Sequence, residues 1–216
     1  MDCMSNARAT RAARPAWALA TLLAAGPLLA GCHTKQTVGN DATVVGTEHV
    51  CSSCHGLEGR SDNPTFPILA AQQEKYLQVQ LKSFRDKTRA DPHAHTYMWG
   101  MAAKLDDHTI AGVAKFYSEQ APAPASHEDP ILVAAGEKIF KTGIKAENAP
   151  ACGLCHGKHA EGAGAVPRLA DQHRTYLEDQ LHAFKVNSRA NATMHGNAKR
   201  LSDQEITEIA AYLASL

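Results

Sequence analysis

The sequence predicts an all-α protein made of two tandem domains that repeat one design. Three observations predict it. Apolar residues recur at three- and four-residue spacing in several windows, and no window alternates convincingly at period two. The pentapeptide Cys51-Ser52-Ser53-Cys54-His55 returns about a hundred residues later as Cys152-Gly153-Leu154-Cys155-His156. The residues after each pentapeptide repeat as well, and a period of this length means tandem domains rather than a solenoid.

The chain opens with a leader. Arg8, Arg11 and Arg14 form a charged region, and Ala16 to Ala30 is apolar but interrupted by Gly26-Pro27, which makes it short for a membrane span. Residues 1–31 therefore read as an export signal. The run Leu29-Ala30-Gly31-Cys32 resembles a bacterial lipobox, which makes Cys32 the expected lipidation site and new N-terminus. His33 follows it, and by lipoprotein analogy the absence of Asp there favours the outer membrane. Residues 32–46 are mostly small or polar and read as a lipidated tether, a coil reaching roughly 20 Å.

The first domain is expected at 47–119. A short helix at 41–50 leads into it. Residues 73–85 place Tyr76, Leu77, Gln80, Leu81 and Phe84 on one helical face. Asp106 opens a last helix with Ile110, Val113, Ala114 and Tyr117. The Pro- and Ala-rich segment 120–130 disfavours helix and reads as the linker. The second domain, 131–216, repeats the order. It has a leading helix at 131–141, a counterpart at 173–185, and a final helix announced by Ser202 and Glu205, a capping box. Phe66-Pro67-Ile68-Leu69-Ala70-Ala71-Gln72 matches Val166-Pro167-Arg168-Leu169-Ala170-Asp171-Gln172. Tyr76, Gln80, Phe84 and Arg89 match Tyr176, Gln180, Phe184 and Arg189. Each half has roughly 85–90 residues, small for a self-sufficient core.

C-x-x-C-H is the attachment pattern of c-type haem. Two cysteines three apart can each form a thioether to one porphyrin, and the adjacent histidine lies under the iron as a ligand. Two Cys pairs could instead build a zinc site, an iron–sulfur centre or redox dithiols. The recurrence of the full pentapeptide inside a repeat favours two haem c groups, bound through Cys51, Cys54, Cys152 and Cys155, with His55 and His156 as axial ligands. Of the six cysteines, Cys3 and Cys32 belong to the leader or its end, so none remains for a disulfide.

The occupant of the sixth iron position separates a carrier from a catalyst. Candidates are Met98, Met101, His93 and His95 in the first half, and Met194 and His195 in the second. The shared element M-x-G-x-A selects Met98 and Met194, while Met101 faces Asn197. Met194 is the only methionine of its half; a core-filling role is the alternative for both. The carbonyls of Pro67 and Pro167 are candidates to accept a hydrogen bond from the ligand imidazoles. Tyr76, Tyr176, Gln80, Gln180, Arg89 and Arg189 either line the haem edge and its propionates or serve ordinary helix packing. His159, His173 and His182 read as solvated.

Together these motifs resemble cytochrome c4, a family of two class I cytochrome c domains in tandem. The resemblance covers about residues 41–216 and rests on C-x-x-C-H, F-P-x-L-A-x-Q, Y-L-x-x-Q-L and M-x-G-x-A in each half. It implies a periplasmic di-haem electron carrier of a Gram-negative bacterium, often membrane-associated, whose haems face each other across the domain interface. It also implies a link to terminal haem–copper oxidases, and it supports His55 with Met98 on one iron and His156 with Met194 on the other. Val166 stands where the family usually has Phe, and Asn197 and Arg200 replace small or apolar residues near the second methionine.

Charge narrows the partners. Removing Arg8, Arg11, Arg14 and Asp2 from 22 basic and 22 acidic residues leaves 19 and 21, a net of −2. No basic stripe suggests nucleic acid, and no charge asymmetry suggests long-range steering. The expected partners are redox proteins, an oxidase on one side and a quinol or dehydrogenase complex on the other, with no small-molecule substrate. A fixed cytochrome subunit of a dehydrogenase is the alternative, and a di-haem peroxidase a more distant one.

Overall fold

In the computed structural model, residues 41–216 are described. The expected leader, Cys32 and most of the tether lie outside the described residues. The helices run in the order α1 (Ala42–His55), α2 (Glu74–Arg85), α3 (Trp99–Ala102), α4 (Asp107–Ser118), α5 (Pro130–Thr142), α6 (Gly153–His156), α7 (Arg174–Lys185), α8 (Ala192–Ala198) and α9 (Asp203–Ala214). Among the described residues no strand forms; two isolated bridges, Ile144 with Ala149 and Ala163 with Val166, pin loops. No helix of these residues is long and apolar enough to cross a membrane.

Local chemistry sets the boundaries. Asp41 caps α1 by accepting from the N–H groups of Thr43 and Val44, Asp106 caps α4 through Thr109, and Asp129 caps α5, where Pro130 takes the first position. Ser202 and Glu205 form the full capping box of α9. The helices expected at 73–85 and 173–185 each begin one residue later.

One expectation fails at its boundary. The first leading helix does not stop near residue 50. Nothing in Cys51-Ser52-Ser53-Cys54-His55 breaks a helix, so α1 runs through the motif and ends only where Gly56 turns to φ 75°. In the second half the order differs. Gly143 (φ 68°) stops α5, a loop intervenes, and the motif begins a separate turn, α6. Before Met98 the chain makes one π-helical turn, Ala94–Met98, a distortion common at functional sites.

The first and last helices of each half cross and close its core. Val44 packs with Leu77, Val113, Ala114 and Tyr117 in one half. In the other, Phe140 packs with Leu177, Ile206, Ile209 and Leu213. Small residues permit both crossings, from opposite partners. In the first, Gly112 of α4 accommodates Val44 of α1. In the second, Gly136 of α5 lies against α9 so closely that a Cβ would stand 1.9 Å from the Glu208 carbonyl oxygen. That neighbour is backbone and cannot swing away. Gly136→Ala is expected to destabilise the haem-loaded second half by roughly 2–4 kcal/mol, read as a lower denaturation midpoint, whereas Gly196→Ala, which meets open space, leaves it within ~1 kcal/mol.

The duplication extends to strained backbone. Ala71 and Asp171 have φ 55° and 62°, and Lys87 and Asn187 have φ 56° and 58°. Four non-glycine residues thus hold left-handed conformations at two matched sites.

Candidate haem sites

α1 carries both Cys51 and Cys54, α6 carries Cys155 with Cys152 as its N-cap residue, and each delivers a histidine inward. His55 and His156 are buried, while Cys54 and Cys155 stay exposed at the rim. Both histidines face a cavity of about 900 Å³ that runs continuously between the halves. Cys51, Pro67 and Met98 line it on one side, and Cys152, Pro167 and Met194 on the other. Leu81, Phe84 and Val113, with Leu181, Phe184 and Ile209, make its walls apolar.

The histidine geometry fixes a tautomer. His55 Nδ1 lies 2.8 Å from the Pro67 carbonyl oxygen, and His156 Nδ1 lies 3.1 Å from that of Pro167. A carbonyl only accepts, so Nδ1 carries the proton in both rings and Nε2 keeps its lone pair. Burial also holds both imidazoles below the ordinary histidine pKa, keeping them neutral at pH 7. Burial pushes the thiols of Cys51 and Cys152 up to about 11, so both remain protonated until they react.

The sixth-ligand candidates separate. Met98 packs on Phe84, Ala94 and Ala102, and Met194 on the second core, both facing the cavity. Met101 is 48% exposed and lies outside it. His95 stacks edge-on against Trp99 at 4.5 Å, and the His195 Nδ1–H donates to the Phe184 carbonyl. His93 reaches the cavity but stands 4.0 Å from Asp179 across the interface.

These residues fit haem c. An apolar cavity of this size is foreign to a close-packed interior. It presents a lone-pair nitrogen and a thioether from each half, with the free thiols of Cys51 on one side and of Cys152 and Cys155 on the other, and the Tyr117 hydroxyl on its wall is buried without a partner.

Between the halves lies a buried polar cluster that mixes side chains from both. Arg89 donates to Gln80 and Gln180 (each 2.8 Å), and Arg189 to Gln180 (2.7 Å), Gln80 (2.9 Å) and the Tyr76 hydroxyl (2.8 Å). Helix packing and haem-edge roles were both open for these residues; the structure shows a third, an interface lock. Burial alone would raise the pKa of Tyr76, but the guanidiniums of Arg189 and Arg89 outweigh it and hold it below its ordinary value. The cluster is unequal. Arg89 pairs with Asp91 at 2.8 Å, whereas the matching residue beside Arg189 is Asn191, which instead caps α8.

Asp91 was not singled out by sequence reasoning. Nor was the reach of Gln72 and Gln172, whose match in the repeat was the available signal. Gln172 receives the Ile68 N–H (2.9 Å) and donates to its carbonyl (3.0 Å); Gln72 does the same to Arg168 (2.8 and 2.9 Å). His173 corrects a further expectation. It is half-buried rather than fully solvated: its Nε2 is enclosed without a partner, and burial lowers its pKa.

Two tandem domains, each carrying a cysteine pair and presenting an inward histidine to an apolar cavity, define a di-haem c-type protein. The cytochrome c family model matches residues 42–119 and again 133–216. Cytochrome c-552 of Acidithiobacillus ferridurans is 39% identical over 168 residues, 77% of this chain and 73% of that protein. Cytochrome c4 of Azotobacter vinelandii is 34% identical over 189 residues, 82% of this chain and 90% of that protein. The solved cytochrome c4 of Acidithiobacillus ferrooxidans superposes with a TM-score of 0.74 at 38% identity, covering 77% of this chain and 98% of the other. The chain belongs to the cytochrome c family, in its two-domain cytochrome c4 branch, and binds one haem c in each domain.

Proposed function

We propose that this protein is a membrane-tethered di-haem electron carrier of the bacterial periplasm. It takes electrons from a quinol or dehydrogenase complex and delivers them to a haem–copper terminal oxidase. The observation that carries the reading is the matched pairing, across one cavity, of a histidine with a free Nε2 and a methionine thioether in each half. Bound haem supplies a one-electron ferric–ferrous couple, and His/Met ligation raises its potential. His55 and His156 offer Nε2, and Pro67 and Pro167 hold the rings. Met98 and Met194 fill the positions that a substrate would need. The apolar walls exclude water, and the Arg–Gln–Tyr lock keeps the two halves in register.

The test is a potentiometric titration of the holo-protein. One electron per haem, low-spin spectra in both oxidation states and no turnover of peroxide support the carrier; a high-spin haem with peroxidase turnover would replace it with an enzyme. Comigration with a dehydrogenase chain through purification would make it a fixed subunit.

The tether rests on Cys32 at the end of the leader. Two lipid chains on one cysteine give stable anchoring. Cys32→Ala is expected to move the protein from the membrane fraction to the soluble periplasmic fraction; continued pelleting with membranes would assign the attachment elsewhere. Density separation of the membranes tests the outer membrane as the site.

A further inference from the structure

We infer that Gln72 and Gln172 are positioning residues that couple the two haem sites, each tuning the axial histidine of the opposite half. The inference rests on the reading of His55 and His156 as iron ligands. Its core is one peptide unit in each half. The Pro67 carbonyl and the Ile68 N–H belong to the same planar amide. The carbonyl accepts from His55 Nδ1–H at 2.8 Å, while the N–H donates to Oε1 of Gln172, from the other half, at 2.9 Å. The arrangement is reciprocal. The Pro167 carbonyl accepts from His156 at 3.1 Å, and the Arg168 N–H of that same amide donates to Gln72 Oε1 at 2.8 Å.

An amide that donates through its N–H becomes a stronger acceptor at its oxygen, because hydrogen bonds in series polarise one another. A stronger acceptor draws on the imidazole Nδ1–H and makes Nε2 the better electron donor. A more basic ligand favours the oxidised iron. Each glutamine therefore lowers the potential of the site in the half to which it does not belong.

The orientation of the side-chain amides is fixed. Gln172 Nε2 donates to the Ile68 carbonyl at 3.0 Å, and Gln72 Nε2 to the Arg168 carbonyl at 2.9 Å. Reversing either amide would set two donors and two acceptors against each other. Gln72 and Gln172 are each only 6% exposed, so water does not readily replace them. The left-handed residues Ala71 and Asp171 sit immediately before them and turn each glutamine towards the opposite half. Ala71 N–H is held by the Tyr117 carbonyl at 3.0 Å, and Asp171 by Arg168. Simple adhesion between domains could attach anywhere; both glutamines attach to the amide whose carbonyl holds a haem histidine.

The test uses the full haem-loaded chain and reads each haem separately by spectroelectrochemistry and by NMR of the ferric protein. Gln172→Met removes the acceptor at similar size. At fixed potential it is expected to raise the reduced-to-oxidised ratio of the first-half haem roughly two- to fourfold and leave the second-half haem unchanged. Gln72→Met should do the reverse. Gln172→Glu keeps an acceptor oxygen and adds charge, so the first-half ratio should fall below that of the parent; it also covers the case in which the methionine variant does not fold. Equal shifts of both haems, a shift in the variant's own half, or shifts of the same sign for Met and Glu would overturn the coupling. Hyperfine-shifted ring signals from His55 and His156 report ligation independently. Their absence overturns the ligand reading itself, whereas their presence with unmoved potentials overturns only the coupling.

Discussion

Replacing Cys152 and Cys155 together by alanine is expected to leave a protein with one haem instead of two and with its second half unfolded. The thioethers hold the group in place, and that group fills the cavity around which α5, α7, α8 and α9 are arranged. Without it, Phe184, Ile209 and Leu213 line empty or wet space. Unfilled core volume costs about 24 cal/mol per Å³, so a void of even a few hundred Å³ removes several kcal/mol from a domain whose whole stability is ~5–15 kcal/mol. A half of this size has little other core to draw on. Pyridine haemochrome assay should give one haem per chain, far-UV circular dichroism should fall by about the share of the second half, and limited proteolysis should begin between residues 143 and 216. The first half should lose stability as well, because Gln172, Gln180 and Tyr176 no longer meet it. Full helicity with a single haem would show that the apolar core holds the second half without its cofactor.

What the sequence made legible follows from periodicity and from covalent chemistry. The helices around Leu77, Leu177, Ile110 and Ile206 could be read because their apolar faces repeat at helical spacing and because Asp106 and Ser202 announce their starts. The cysteine pairs could be read because thioether attachment needs that spacing. The continuation of α1 through the motif was less visible, since polar Ser52 and Ser53 look like the end of an apolar stripe although neither breaks a helix. The interface was the least visible part. Its residues, Gln72, Arg89, Asp91 and their counterparts, are polar, and in a single chain a buried polar residue looks like an exposed one. Burial was settled by long-range pairing, over separations of 87 to 113 residues for the Arg, Gln and Tyr contacts between halves. The duplicated identities marked these positions as special but not what they touch. The difference between Asp91 and Asn191 shows the limit most clearly. It reads as an ordinary polar exchange, yet it leaves Arg89 paired with a carboxylate inside the interface and Arg189, 7% exposed, bound only to neutral groups.

Met194→Ala tests the second iron site most directly, and its effect should be large because no neighbouring side chain is placed to substitute. Met194 is the only methionine between residues 126 and 216. His195, next in sequence, spends its Nδ1–H on the Phe184 carbonyl at 2.8 Å and is turned towards that helix. Asn197 and Thr193 reach the cavity, but an amide and a hydroxyl are poor partners for a soft, low-spin haem iron. Losing the thioether should therefore open the sixth position. The far-red methionine-to-ferric-iron band should fall to half its parental intensity. The ferrous protein should bind about one equivalent of carbon monoxide where the parent binds none, and the potential of that haem should drop, since methionine opposite histidine is what raises it. The fold should survive, because Met194 is a partly buried neighbour of the second core rather than one of its fully enclosed members. An undiminished band, with the expected loss of packing stability alone, would return Met194 to the role of a core-filling side chain and move the sixth ligand to another residue.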